Sequence, residues 1–177
     1  MNKHLLTGAE FKELARPTSL HVDDTDITAF VSECEDMHII PAIGYEKFKT
    51  LVTEDELSTE DKTLLNGGEY MSKATQCGCE DATGGKLTYC KGLKKALAYF
   101  VYAKMLRADG SLLSRAGFMQ HDDQYAKHVD DSKLKQYNDV MAVAEQYLAS
   151  CLAYIKSITG SVPPVRGTRC RIHAIGE

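Results

Sequence analysis

Two long stretches of helical periodicity constrain this chain most, residues 87–109 and 131–159, divided by a segment without it. In the second stretch, apolar side chains recur at alternating steps of three and four: Leu134, Tyr137, Met141, Ala144, Leu148, Cys151, Ile155 and Ile158. That spacing lays one continuous stripe along a helix. The first stretch carries Leu93, Ala96, Leu97, Phe100, Val101 and Met105 on one side. Two such stripes bury each other when their helices pack as an antiparallel pair. The expected class is therefore all-α, an antiparallel helical bundle or wedge built on two long helices. Its core is taken up by helix packing and contains no evident reaction centre.

With 177 residues, one domain is the default, large enough to build its own core. The hydrophobic share of 44% and charged share of 26% are those of an ordinary globular protein. A formal net charge of −4 argues against a global nucleic-acid-binding surface. No stretch approaches the roughly 20 apolar residues of a membrane span, and the first residues lack the apolar run of a signal peptide. A reducing cytoplasm and no membrane partner are the expectation. The six cysteines are Cys34, Cys77, Cys79, Cys90, Cys151 and Cys170. Cys34 and Cys151 fall on apolar helical faces and read as small core residues. The others are too unevenly spread for a disulfide framework, so free thiols are expected.

Shorter elements flank the long helices. Thr7-Gly8-Ala9-Glu10 fits a capping box that opens a helix with Phe11 and Leu14 inward, and Pro17 stops it. Asp23, Asp24 and Thr25 open a second helix reaching about His38, with Ile27, Phe30, Val31, Cys34 and Met37 on one face. Residues 39–44 read as a tight break, because Pro41 disfavours helical geometry at Ile40. A further helix covers about residues 45–52. Another starts at Ser58-Thr59-Glu60-Asp61 and is stopped by Asn66-Gly67-Gly68. Residues 69–86 form an inserted loop or small hairpin holding Cys77-Gly78-Cys79. Residues 111–130 read as a β-hairpin or extended arm, with Gly117-Phe118-Met119 and residues 125–129 flanking the polar turn His121-Asp122-Asp123-Gln124. Asp131 or Ser132 caps the last helix and Gly160 ends it. Residues 1–160 thus make a helical domain, and residues 161–177 an extended tail in which Arg166, Arg169 and Arg171 alternate with Val165, Cys170, Ile172 and Ile175 after Pro163-Pro164. Such a tail either frays or docks by adding a strand or filling a groove.

Candidate chemistry is sparse. Cys77-x-Cys79 with Cys90 suggests zinc, but the pair is one residue short of a zinc knuckle, and a fourth ligand would have to come from His121, His128 or a remote thiol. Unliganded loop thiols are the simpler reading. His121, Asp122, Asp123 and His128 resemble the ligand set of a small metal-dependent hydrolase, and equally a solvated polar turn. Glu33, Glu35 and Asp36 offer paired acids for general acid–base work, or simply the wet face of an amphipathic helix. Tyr89, Tyr99 and Tyr102 suggest a stacking platform for single strands, or helix packing with hydroxyls at the rim. No P-loop, dinucleotide, nucleophile-elbow or zincin pattern is present. A basic recognition helix is missing too, since the helical hairpin over residues 27–51 has an acidic first helix and only Lys47 and Lys49 in its second. No catalytic residue, metal ligand or cofactor is assigned, and the chain is expected not to be an enzyme.

The order of several phrases carries a resemblance: ITAFVSECEDMHIIPAIGY over residues 27–45, LLNGGEY over 64–70, YCKGLKKALAYFVYAKMLR over 89–107, SRAGFMQHDDQYAKHV over 114–129, and the helix over 134–155. Together they resemble the head–tail connector (adaptor) proteins of tailed bacteriophages, in the form found in phages and prophages of Bacteroides-like gut bacteria. The resemblance implies a helical wedge in a ring, commonly of twelve copies, held under the portal in the virion neck. Such a ring extends the DNA channel without sequence-specific binding and offers a platform to the next tail protein. It implies that the tail reaches the portal through Val165, Arg166, Arg169, Arg171, Ile172 and Ile175. It also implies that the arm, with Phe118, Met119, His121, Tyr125 and His128, lies at a neighbouring copy or the lumen. The insertion at residues 71–86 departs from the shorter members of that family. A tail-completion or stopper protein, and a small metal-dependent enzyme, are the alternatives.

Overall fold

The computed structural model describes residues 4–16, 24–54, 56–72, 85–108 and 135–160, together with the backbone of 111–114, 117–120 and 130–134. The fold is mostly helical, with short antiparallel strand pairs. Helix α1 spans Gly8–Leu14 and opens on the expected capping box. The Thr7 hydroxyl accepts the Glu10 N–H at 3.3 Å, and the Glu10 carboxylate accepts the Thr7 N–H at 3.0 Å. Phe11 then points into the core and is fully buried.

Helix α2, Asp24–Cys34, does not end in a break before Pro41. It runs through a π-helical turn, Glu35–Ile39, straight into α3, Ile40–Ile43. Ile40 is helical, with φ −58° and ψ −45°, and its N–H donates to the Glu35 carbonyl five residues back. The widened turn explains why the helix passes Pro41; the break falls only at Gly44, the last residue of the expected segment, where φ is +86°. A wider ladder leaves room for the pyrrolidine ring, and proline's missing N–H falls where the hydrogen-bond spacing is already changing. The extra residue also rotates the downstream positions around the helix. Met37, expected inward, is 54% exposed, whereas Glu35 and Ile39 are buried. Ile27, Val31 and Cys34, upstream of the turn, occupy the core as their spacing predicts.

Helix α4, Tyr45–Thr53, comes next, and then α5, Thr59–Asn66, capped by Ser58, whose hydroxyl accepts the Asp61 N–H at 3.1 Å. Strand β1, Gly68–Ser72, pairs antiparallel with β2, Lys86–Cys90, so the inserted segment is rooted in a hairpin. Residues 87–90, predicted as the start of the first long helix, are strand instead. Helix α6 covers only Leu93–Ala108. It is buried around much of its circumference: Ala98 and Ala103 are buried along with Leu93, Ala96, Leu97, Phe100 and Val101. A helix of that kind is central. It packs most extensively on the 30-residue α7, Asp130–Thr159, and also on α1, α2 and α5. Lys91 reaches Ser150, Tyr99 meets Tyr147 and Arg107 lies over Tyr137, so contacts descend α7 as they ascend α6 and the pair is antiparallel.

On α7, Ala144, Cys151 and Ile155 face inward as predicted, joined by Val140 and Tyr154, which the predicted stripe omitted; Ile158, at its end, is 38% exposed. The arm pairs differently from expectation. Strand β3, Ser111–Ser114, pairs with β4, Gly117–Gln120, so the chain reverses between Ser114 and Gly117, upstream of the polar run. Phe118 and Met119 fall on β4. His121, Tyr125 and His128, the tail positions Val165, Arg166, Arg169, Arg171, Ile172 and Ile175, and Cys77, Cys79 and Cys170 lie outside the described residues. Among the described residues no helix is long and apolar enough to cross a membrane.

Candidate functional site

The β1–β2 hairpin is the first feature that core packing leaves unused. Its register places Glu69 opposite Tyr89 and Met71 opposite Leu87. Strand alternation sends these four to one face and Tyr70, Thr88 and Cys90 to the other. The inner face docks on α7, where Tyr70 meets Tyr154 edge-on at 4.8 Å and the Tyr154 hydroxyl donates to the Glu60 carbonyl at 3.2 Å. Burial pushes both phenols above the ordinary tyrosine range. The outer face is apolar and open: Met71 is 61%, Leu87 59% and Tyr89 51% exposed. The Lys91 ammonium lies 5.0 Å from the centre of the Tyr89 ring.

Next to Tyr89 runs an open groove of about 530 Å³ with Glu10 and Glu13 on one wall and Lys91, Lys94 and Lys95 on the other. Its charges are largely satisfied internally. Lys94 donates closely to Glu10. Burial raises that carboxyl, but the Lys94 and Thr7 hydrogen bonds outweigh it, and the net shift is below the usual carboxylate range. Lys95 lies over the Tyr147 ring. The groove has walls of both signs and is not a basic track for nucleic acid. Tyr99 packs on Tyr147 rather than presenting a stacking face.

A second exposed apolar side chain, Met37 at 54%, lies toward the other end of α6. The Lys104 ammonium pairs with Glu33 at 2.5 Å and sits 3.5 Å from the Met37 sulfur. Beneath them His38 stacks flat on Phe100, centroids 4.2 Å apart. Burial first, then the Lys104 charge, lowers the His38 pKa, which keeps the ring neutral at neutral pH.

The acids read as a possible catalytic pair are separated by the π turn. Glu33 lies outside, paired with Lys104, while Glu35 is 3% exposed and not on a wet face at all. The Glu35 carboxylate accepts the Leu5 N–H at 2.7 Å and contacts His4 Nδ1 at 2.9 Å, which pins the segment before α1 to the helical body. That role is structural.

Cys90, expected in the first long helix, is a strand residue. It ends β2, fully buried, with its sulfur 3.8 Å from that of Cys151. Cys90 is the more acidic of the two, its thiolate stabilised by the Cys151 S–H against the opposing effect of burial, and helped by the backbone at Gly92. Cys151 is correspondingly raised, first by that hydrogen bond and then by burial. Among the described residues no group of three histidines, cysteines or acids is arranged to hold a metal. Strand β2 itself has a sequence signal, the alternating run Lys86-Leu87-Thr88-Tyr89-Cys90, but nothing in it marks Cys151 as the partner of Cys90.

No curated protein and no solved structure matches this chain. Residues 39–161 match a family described as of unknown function, DUF6712. The match starts at the last residue of the π turn, ends just past α7 and covers well over half of the chain, so the protein belongs to the DUF6712 family.

Proposed function

We propose that the protein is a structural virion component, a head–tail connector whose copies associate into a ring beneath the portal. The observation that carries this reading is exposed apolar surface at two separate places on one helical body. The hairpin face leads into the start of α6, and the exposed Met37 lies beside Lys104, about 16 Å further along that helix. A closed ring is built from head-to-tail contacts, and these need two different faces on every copy. The resemblance of the ordered sequence phrases to those of phage connectors supports the same reading. In it, the tail over residues 162–177 engages the portal and the arm over residues 111–130 faces a neighbour or the lumen. DNA passes through a mildly acidic ring without being gripped, since few phosphates would be neutralised. The ring is assembled in the cytoplasm of the host bacterium.

Light scattering coupled to size exclusion, with and without a portal protein from the same genome, is the test. The expected result is a species of many copies, alone at high concentration or on the portal. A monomer that ignores the portal at every concentration overturns the proposal.

A further inference from the structure

We propose that Cys90 and Cys151 form a dithiol site that a hydroperoxide-class oxidant converts to an intramolecular disulfide, tying the β1–β2 hairpin to α7. The two sulfurs are 3.8 Å apart although the residues are 61 positions apart in sequence. A disulfide requires about 2.05 Å, so the sulfurs must close by less than 2 Å. The flanking chain is already held. The Lys91 N–H donates to Ser150 Oγ at 3.2 Å, and these residues are the immediate neighbours of Cys90 and Cys151. The backbones are therefore within side-chain reach, and rotation about the two Cα–Cβ bonds can supply the remaining closure.

The environment also suits the chemistry. The residual proton of the pair stays on Cys151, which leaves Cys90 as the nucleophile. Cys34, equally buried but without a sulfur partner among the described residues, is pushed up to about 12, first by burial, and serves as an internal control. Both cysteines of the pair are fully buried, so oxidant reaches them when the hairpin lifts from α7. A two-stranded hairpin with an open outer face is the kind of unit that opens locally without global unfolding. A small peroxide fits such access better than a bulky disulfide reagent.

The reaction balances in two steps. The Cys90 thiolate attacks one oxygen of hydrogen peroxide and the O–O bond breaks. Cys90 becomes a sulfenic acid, and the departing hydroxide takes up the proton that Cys90 released, giving water. The Cys151 sulfur then attacks the Cys90 sulfur, the S–O bond breaks, and the hydroxyl leaves with the Cys151 proton as a second water. Two thiols lose two electrons and two protons, and one peroxide becomes two waters. The product closes a long loop that contains all of α6.

The test uses the full chain carrying Cys77→Ser, Cys79→Ser and Cys170→Ser, which leaves Cys34, Cys90 and Cys151. The reduced protein is exposed to hydrogen peroxide, alkylated under denaturing conditions and weighed. The expected result is a loss of about 2 Da, one alkylatable thiol at Cys34, a linked peptide pair joining Cys90 to Cys151, and reversal by dithiothreitol. The oxidised form melts roughly 5–10 °C higher, as expected for a long closed loop in a chain of this size. Three thiols persisting after prolonged exposure, a link to Cys34, or Cys90 accumulating as sulfinic acid beside a free Cys151 overturns the proposal. Adding Cys151→Ala should abolish the 2 Da loss and leave a sulfenic acid on Cys90 that dimedone traps. If that variant does not fold, the peptide map of the parent decides alone.

Discussion

At the scale of single residues, Glu35 shows how one backbone irregularity redirects a side chain. A regular 3.6-residue period puts Glu33, Glu35 and Asp36 on the solvent side and Met37 inside. The π turn adds one residue to the circuit and exchanges Met37 for Glu35 and Ile39. Glu35 then accepts the Leu5 N–H with its carboxylate at 3% exposure. Removing that acceptor leaves a buried amide without a partner, which costs roughly 2–4 kcal/mol; an amide in the same place keeps the acceptor and costs about 1 kcal/mol. Glu35→Ala should therefore lower stability in urea far more than Glu35→Gln, and hydrogen exchange at the Leu5 amide should accelerate only in the alanine variant. Equal losses with an unchanged Leu5 amide would refute the pinning role. The residues upstream of the turn were legible from spacing alone, as Ile27, Val31 and Cys34 demonstrate. Those after it were not, because a π turn leaves no periodic signature and Pro41 alone argues for a break. Nothing in the sequence marked Leu5 as a partner for Glu35, since the contact joins segments 30 residues apart.

At the scale of elements, the boundary of α6 turns on Gly92. Apolar spacing from Leu87 onward resembles a helix well enough to hide a strand, but Gly92 has φ +88° and cannot lie inside one. It makes the corner where β2 becomes α6, and the Ala96 N–H donates to its carbonyl at 3.2 Å to start the helix. A Cβ at this position would sit 2.6 Å from the Asn66 carbonyl carbon and 2.7 Å from the Gly67 nitrogen. Gly67, itself at φ +92°, faces the carbonyl oxygens of Cys90 and Lys91 in return. The junction from α5 into β1 and the junction from β2 into α6 thus pass backbone against backbone. Gly92→Ala combines left-handed strain with a clash against backbone that cannot give way, so it should cost about 3 kcal/mol or more in chemical denaturation. Gly160→Ala, also at positive φ but with open space around the added carbon, should cost only the strain, about 1 kcal/mol. Similar losses for both would show that close approach at the junction does not matter. The helix stop at Asn66-Gly67-Gly68 was readable in sequence because glycine after a leucine pair has few other roles. Gly92 was not, because a single glycine within an apolar run is also tolerated by helices.

At the scale of the whole molecule, the stripes on α6 and α7 predicted a helical body, and the charge balance argued against a nucleic-acid grip. The face that the hairpin leaves open could not be derived, since it depends on strand register across the inserted segment. If the hairpin face and the surface around Met37 are the two halves of one head-to-tail contact, each can be disabled separately. Leu87→Glu places a charge in the first, and Met37→Glu places one in the second. Both positions are more than half exposed, so folding should be unaffected and melting temperatures should stay within a degree or two of the parent. Each variant alone should be monomeric under conditions where the parent assembles. Mixed in equal amounts, they retain one intact hairpin face and one intact Met37 surface between them, enough for a single contact and no more. Sedimentation of the mixture should therefore show a dimer that does not grow with concentration. An interface that is symmetric, with each patch meeting its own copy, predicts something different: homodimers in each separate sample through the patch left intact, and no new species on mixing. The mixing experiment thus separates head-to-tail assembly from symmetric pairing without knowledge of the final copy number.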